Sequence, residues 1–172
     1  MISALVKEIE IRKNELNNDV IETIYFGGGT PSVLNIDEIQ CLIDAVYKNH
    51  KVAENPEITL EANPDDLSEE KIIELTKSPI NRLSIGIQSF FEKDLKLMNR
   101  AHNSDEAKKC LSLATRYFKN ISVDLIYGIP DCTNEEWKQN IQTALSFSIP
   151  HISSYALTVE PKTALETLIA KG

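Results

Sequence analysis

The stretch "IETIYFGGGTPSVLNIDEIQCLIDAVYKNH", Ile21 to His50, places a β-branched and aromatic run, three glycines and a segment of helical period in that order. In the last part Ile36, Ile39, Leu42, Ile43 and Val46 recur at steps of three and four, which makes one apolar stripe for packing on a sheet. Strand, tight loop and helix in succession form a βα unit. The loop holds three of the chain's six glycines. Without a Cβ they permit positive φ and close approach of a ligand, and they leave backbone N–H and C=O groups free for recognition. A tight turn that spares a bulky residue a clash is the competing reading of the same loop. A dinucleotide fingerprint and a phosphate-binding P-loop are both excluded, because the G-x-G-x-x-G spacing and the P-loop lysine are absent.

Outward from this unit the pattern repeats. The runs "TIYF", "EITLEA", "RLSIGIQ", "ISVDLIYG" and "HISSYALTV" alternate with the helical segments "NIDEIQCLIDAVYKNH", "SEEKIIELTK", "SDEAKKCLSLATRYF" and "NEEWKQNIQTALSF". Asn35, Ser68, Ser104 and Thr133 or Asn134 precede these segments with acids in the first turn, as N-caps and the helix dipole favour. Strands joined by crossover helices run parallel with right-handed connections. The expected fold is therefore α/β: repeated βα units around a twisted parallel sheet of five strands, covered by helices on at least one face. The opening segment "ISALVKEIEIRKNEL" is helical and has no strand before it, so a piece is expected to be missing at the front. The closing segment "KTALETLIAK" also reads as a helix, and nothing marks a linker, so residues 1–172 form part of one domain.

Composition narrows the function classes. The chain has 172 residues, 42% of them hydrophobic, with mean hydropathy −0.22, as an ordinary domain with a sizeable core requires. With 26 acidic against 18 basic residues, its net charge of −8 opposes a phosphate backbone, and no nucleic-acid partner is expected. No apolar run approaches the roughly 20 residues of a membrane span, and the N-terminus lacks the apolar core of a signal peptide, so the chain reads as cytoplasmic. Cys41, Cys110 and Cys132 are odd in number and match no metal-ligand spacing, which suits reduced thiols. Cys41 and Cys110 are expected in the core on helical stripes, and Cys132 in an exposed loop with no base nearby in sequence.

Parallel βα architectures bind ligands outside the carboxyl ends of their strands, where loops and helix N-termini converge. Polar groups recur at that edge: Gly27 to Pro31 after the first run, Glu61 with "NPDD" in and after the second, Gln88 ending the third, and Asp124 within the fourth. Glu61 and Asp124 lie in half-buried runs, where an unpaired carboxylate is costly, so each requires a donor or a cation. Taken singly, Gln88 reads as a strand cap, Arg100 as a solvated arginine and His102 as a surface residue after a helix; their shared position favours a site.

The collinear series "TIYFGGGTPS", "ITLEANPDD", "NRLSIGIQSF", "LMNRAHN", "VDLIYGIPDCT" and "ISSYALTVEPKT" resembles the radical S-adenosylmethionine proteins of the oxygen-independent coproporphyrinogen III oxidase family. Its "EANP" and "GIQSF", where true oxidases tend to have "VDPR" and "GVQDF", resemble the haem-chaperone branch. The resemblance implies a partial (β/α) barrel lacking its first strand, the one whose C-x-x-x-C-x-x-C loop holds a [4Fe-4S] cluster. It also implies that the chain is an internal fragment, catalytically inactive alone, and that no cluster forms on its three cysteines. In the parent protein the cofactors would be S-adenosylmethionine and the cluster, and the partner a porphyrinogen or haem.

Carried over by resemblance, Gly28, Gly29 and Thr30 would bind the methionyl ammonium with Glu61 as a negative partner. Arg100 would pair with the methionyl carboxylate. Gln88 and Asp124 would hydrogen-bond the ribose or aminoacyl group, and Ala156 would lie against the adenine. A haem carrier or a cluster-free ligand-binding βα module is the alternative. Unpaired strand edges at both ends of the sheet imply a homodimer.

Overall fold

The computed structural model describes residues 1–159, 161–162 and 166–167. Most of the closing helical segment read from the sequence lies outside them. Five strands, β1 (Ile21–Phe26), β2 (Val52–Ala62), β3 (Arg82–Gln88), β4 (Asn120–Tyr127) and β5 (His151–Ala156), form one sheet in chain order. Every adjacent pair is parallel. Helices α1 (Ile2–Ile11), α2 (Ile36–Asn49), α3 (Glu69–Leu75), α4 (Glu92–Leu97), α5 (Ser104–Tyr117) and α6 (Asn134–Ser146) alternate with them. The sheet curls into a half-barrel, as the βα pattern requires.

Strand periodicity divides the sheet into two faces. On one face Ile58, Leu60, Leu83, Ile85, Ile87, Ile121, Val123 and Leu125 are buried, and they join Ile39, Ile43, Ile72, Leu75 and Leu111 from the helices in one core. On the other face the alternate positions are polar: Tyr25, Thr59, Glu61, Ser84, Gly86, Gln88, Ser122, Asp124 and Ser153. The helices thus pack on the apolar face and leave the polar face to line the inside of the half-barrel.

Local chemistry sets the helix starts. Asn35, Asn103 and Thr133 each complete a capping box with a glutamate three residues on, and Ser68 accepts from Lys71 N–H. Asn103 takes the cap in place of Ser104: its Oδ1 accepts from the Glu106 amide at 2.9 Å, while the Ser104 hydroxyl donates to Phe90 O at 2.7 Å. The first helix stops at Ile11, short of the segment read from the sequence, and residues 12–18 form turns ending in Asn17 and Asn18 at positive φ. β2 begins earlier than its apolar run and contains Pro56; β3 pairs with it only from Thr59 onward, so the missing proline N–H costs no ladder bond there.

Two other expectations are corrected. Cys41 is exposed, since it stands about 200° around the helix from both Ile39 and Ile43, off the apolar stripe. His102 is buried beneath the end of β3, not at the surface. Cys110 is buried as expected, and Cys132 is partly covered, with burial pushing its thiol above the ordinary value. Among the described residues no helix is long and apolar enough to cross a membrane.

Candidate functional site

At the carboxyl end of the sheet, on its polar face, lies a cavity of about 300 Å³. Gly29, Thr30, Glu61, Gln88 and Asp124, five residues singled out from the sequence, line it together with Asn63, Ser84, Gly86 and Tyr155. The curl of the sheet brings together residues more than a hundred positions apart in the chain, from Gly29 to Tyr155.

Glu61 is held at both oxygens. The Tyr25 hydroxyl donates to Oε1 at 2.6 Å and Gly28 N–H donates to Oε2 at 3.1 Å. Gly28 stands at φ 75°, a conformation in which an L side chain is strained, so the sequence must supply glycine for the amide to turn toward the carboxylate. Desolvation of the phenol and its bond to the Glu61 carboxylate push Tyr25 up to about 12. Tyr25 is therefore a neutral donor at physiological pH.

Asp124 accepts a hydrogen bond from Ser84 Oγ at 3.4 Å. Burial raises its pKa above the ordinary carboxylate value, and the Glu61 charge adds to that; Ser153, Ser84 and Arg82 act the other way. Two carboxylates thus share one small cavity, which makes it a site for a cationic or hydroxyl-rich ligand.

Gln88 ends β3 at φ 67°, where the register with β4 shifts. Its amide folds back over Gly86, where an added Cβ would lie 2.8 Å from Gln88 Nε2 and would displace that amide from its place. Left-handed backbone at a non-glycine residue is strain of the kind that ligand sites retain.

Arg100 stands behind the cavity wall. Its Nη2 donates to Asn63 Oδ1 at 2.7 Å and to Gly86 O at 3.2 Å, while its buried Nε has no partner. Ala156 lies at the exposed end of β5 beside Tyr155, one position away from the lining. Sequence reading missed Tyr25, Ser84, Gly86 and Tyr155 as site residues, although each sits on the polar alternate of a strand that had already supplied a candidate. Asn63 was quoted within "NPDD" but given no role.

A second, mostly apolar cavity of about 770 Å³ lies between α1, α2 and the outer edge of β1, bordered by Leu5, Ile9, Phe26 and the glycine loop. Among the described residues no group of three histidine, cysteine or acidic side chains is placed to hold a metal ion.

The chain is 39% identical over 158 residues to the heme chaperone HemW of Escherichia coli strain K12, covering 87% of this chain and 42% of that protein. It is 39% identical over 154 residues to the heme chaperone HemW of Bacillus subtilis strain 168, covering 88% and 41%. Among solved structures it is similar to the coproporphyrinogen III oxidase HemN of Escherichia coli, a radical SAM enzyme. That similarity has a TM-score of 0.80 and 27% identity, over 92% of this chain and 37% of that one. The chain thus spans about two fifths of the length of these curated relatives. Residues 3–144 match the profile of the Radical SAM superfamily, so a half-barrel whose polar edge gathers the glycine loop, Glu61, Gln88 and Asp124 is that of a chain belonging to the radical SAM superfamily.

Proposed function

We propose that this chain is the S-adenosylmethionine-binding part of a radical SAM protein of haem metabolism, and that the cavity at the strand ends is the cofactor's seat. The observation that carries the reading is the convergence of Gly29, Thr30, Glu61, Gln88 and Asp124 on one cavity. The donor set fits the cofactor's aminoacyl end. Glu61, with both oxygens already fixed, presents a negative wall to the ammonium, and the unpartnered Arg100 Nε is a buried donor available to the carboxylate. Asp124 and Gln88 supply polar groups for the ribose hydroxyls, and Ala156 borders the adenine.

Bound S-adenosylmethionine supplies radical chemistry when a [4Fe-4S] cluster reduces it. The chain's own cysteines do not fit such a cluster: Cys41, Cys110 and Cys132 belong to α2, α5 and the loop before α6. We therefore assign this chain cofactor binding and no catalytic step. Between porphyrinogen decarboxylation and haem transfer, the heme-chaperone relatives at 39% identity favour haem transfer by the whole protein, with haem as the partner. The outer edges of β1 and β5, unpaired among the described residues, are further proposed to pair a second copy of the chain.

Calorimetric titration with S-adenosylmethionine tests the site. Binding should be measurable for the wild type and weakened about tenfold or more in Arg100→Ala, the loss expected for a charge-assisted hydrogen bond. Binding indifferent to that substitution would overturn the assignment.

A further inference from the structure

After β2 the chain makes one turn of 3-10 helix, Pro64–Asp66, and its polar residues reach into two neighbouring loops. Asp66 Oδ2 accepts from Ser32 Oγ at 2.6 Å. Ser32 is 2% exposed and lies in the 3-10 turn Pro31–Val33 that immediately follows Thr30, so this bond anchors the far end of the glycine loop. Asn63, the residue before the turn, accepts from Arg100 Nη2 at 2.7 Å. Asp65 Oδ1 faces the buried His102 ring at 3.7 Å, and that ring bonds Ile87 O through Nε2 at 3.1 Å. From the other side, Lys71 in α3 donates to Leu34 O, closing the tie between the second loop and the first.

These bonds have a common geometric result. The glycine loop follows β1 and the Arg100 segment follows β3, and the two belong to different βα units. Neither touches the other through a hydrogen bond among those the structure records; both are fastened to the turn after β2. Without that turn, Glu61 would still hold Gly28 and Gly86 O would still hold Arg100, but the Ser32 and Asn63 bonds that set the two loops directly against one another would be lost. A ligand that must reach both needs that spacing set in advance, since every ångström of loop freedom removed before binding is entropy not lost on binding.

We infer that "NPDD", Asn63 to Asp66, is the positioning element of the cofactor site, with Asp66 setting the glycine loop through Ser32 and Asn63 setting Arg100. The inference rests on the cofactor-site reading for its ligand, but not for its geometry, and the two are separable by experiment. Asp66→Ala removes the acceptor, Asp66→Asn keeps a carbonyl oxygen that accepts the same bond, and Ser32→Ala removes the donor without altering the turn.

Hydrogen exchange read by mass spectrometry on the full chain, without ligand, is the first measurement. Asp66→Ala and Ser32→Ala should each speed exchange in residues 27–33 by about tenfold, the weight of one charge-assisted hydrogen bond, while β3 and β4 keep wild-type protection. Asp66→Asn, which keeps the acceptor without its charge, should recover most of the wild-type protection. Titration with S-adenosylmethionine should follow the same order, with about tenfold weaker binding in the two alanine variants only. Loop exchange unchanged in Ser32→Ala would overturn the inference, as would Asp66→Asn behaving like Asp66→Ala. A wild type that does not bind S-adenosylmethionine would refute the cofactor-site reading alone, and the exchange pattern would still decide the role of the turn.

Discussion

Asp124 shows how a ligand site and stability compete at a single residue. Its carboxylate is half-buried, with serine hydroxyls for donors and Glu61 across the cavity, and its pKa is raised chiefly by burial. A carboxylate whose folded pKa lies above its unfolded value weakens the fold progressively as pH rises from the unfolded value, because the unfolded chain ionises first, and the loss is complete above the folded value. Asp124→Asn should therefore stabilise the protein at neutral pH, with the gain fading on acidification toward the ordinary value of 3.8. Thermal melts at neutral and acid pH check both the gain and its disappearance, and ligand affinity should fall in the same variant. Gln88 carries a related cost in its backbone, at φ 67°. Gln88→Gly relieves that conformation and should raise or leave unchanged the melting temperature while weakening ligand binding; a clear loss of stability would show that the side chain's role is structural. At this scale the sequence identified the chemistry of Glu61 and Asp124 by setting carboxylates in apolar runs. It could not show that Tyr25 and Gly28 satisfy Glu61, since the bonding partners lie 36 and 33 residues away.

The elements were legible wherever one face of a segment was strongly apolar. β3 matches its run "RLSIGIQ" residue for residue, and the caps of α2, α3 and α6 stand where side-chain chemistry predicts. α4 was not, because six residues with Asp94 and Leu95 as the buried pair make too short a period to read. What fixes α4 is tertiary. Ser89 Oγ donates to Asp94 Oδ2 at 2.6 Å, and Asn140 in α6 accepts from Phe90 N–H at 2.7 Å while its amide donates to Ser89 Oγ at 3.2 Å. Asn140 is fully buried, so this network ties the loop after β3 to a helix fifty residues downstream. Asn140→Ala leaves the Phe90 N–H without a partner in the interior and should cost about 2–3 kcal/mol. Urea denaturation measures it, and a change under 1 kcal/mol would mean that water replaces the amide.

Across the whole molecule, the half-barrel presents a polar interior, an apolar helical coat and two strand edges without strand neighbours among the described residues. β1 and β5 are the most exposed of the strands, with Val20 55%, Tyr25 55% and Tyr155 58% exposed at their borders. Unpaired edges of this kind template association, so sedimentation velocity should show a concentration-dependent dimer; a single monomeric species at high concentration would refute it. The sequence by itself determined the βα repeat, the parallel order of five strands and the strand edge as the place for chemistry, because hydrophobic period and turn residues act within a few positions of the chain. It also placed Gly29, Thr30, Glu61, Gln88 and Asp124 at that edge. Only the tertiary structure decided which of them share one cavity, that Arg100 stands behind its wall bonded to Asn63 and Gly86, that His102 is buried and Cys41 exposed, and that the residues after β2 bond to two loops. Those outcomes depend on the curl of the sheet and on hydrogen bonds between residues far apart in sequence, and periodicity carries no information about either.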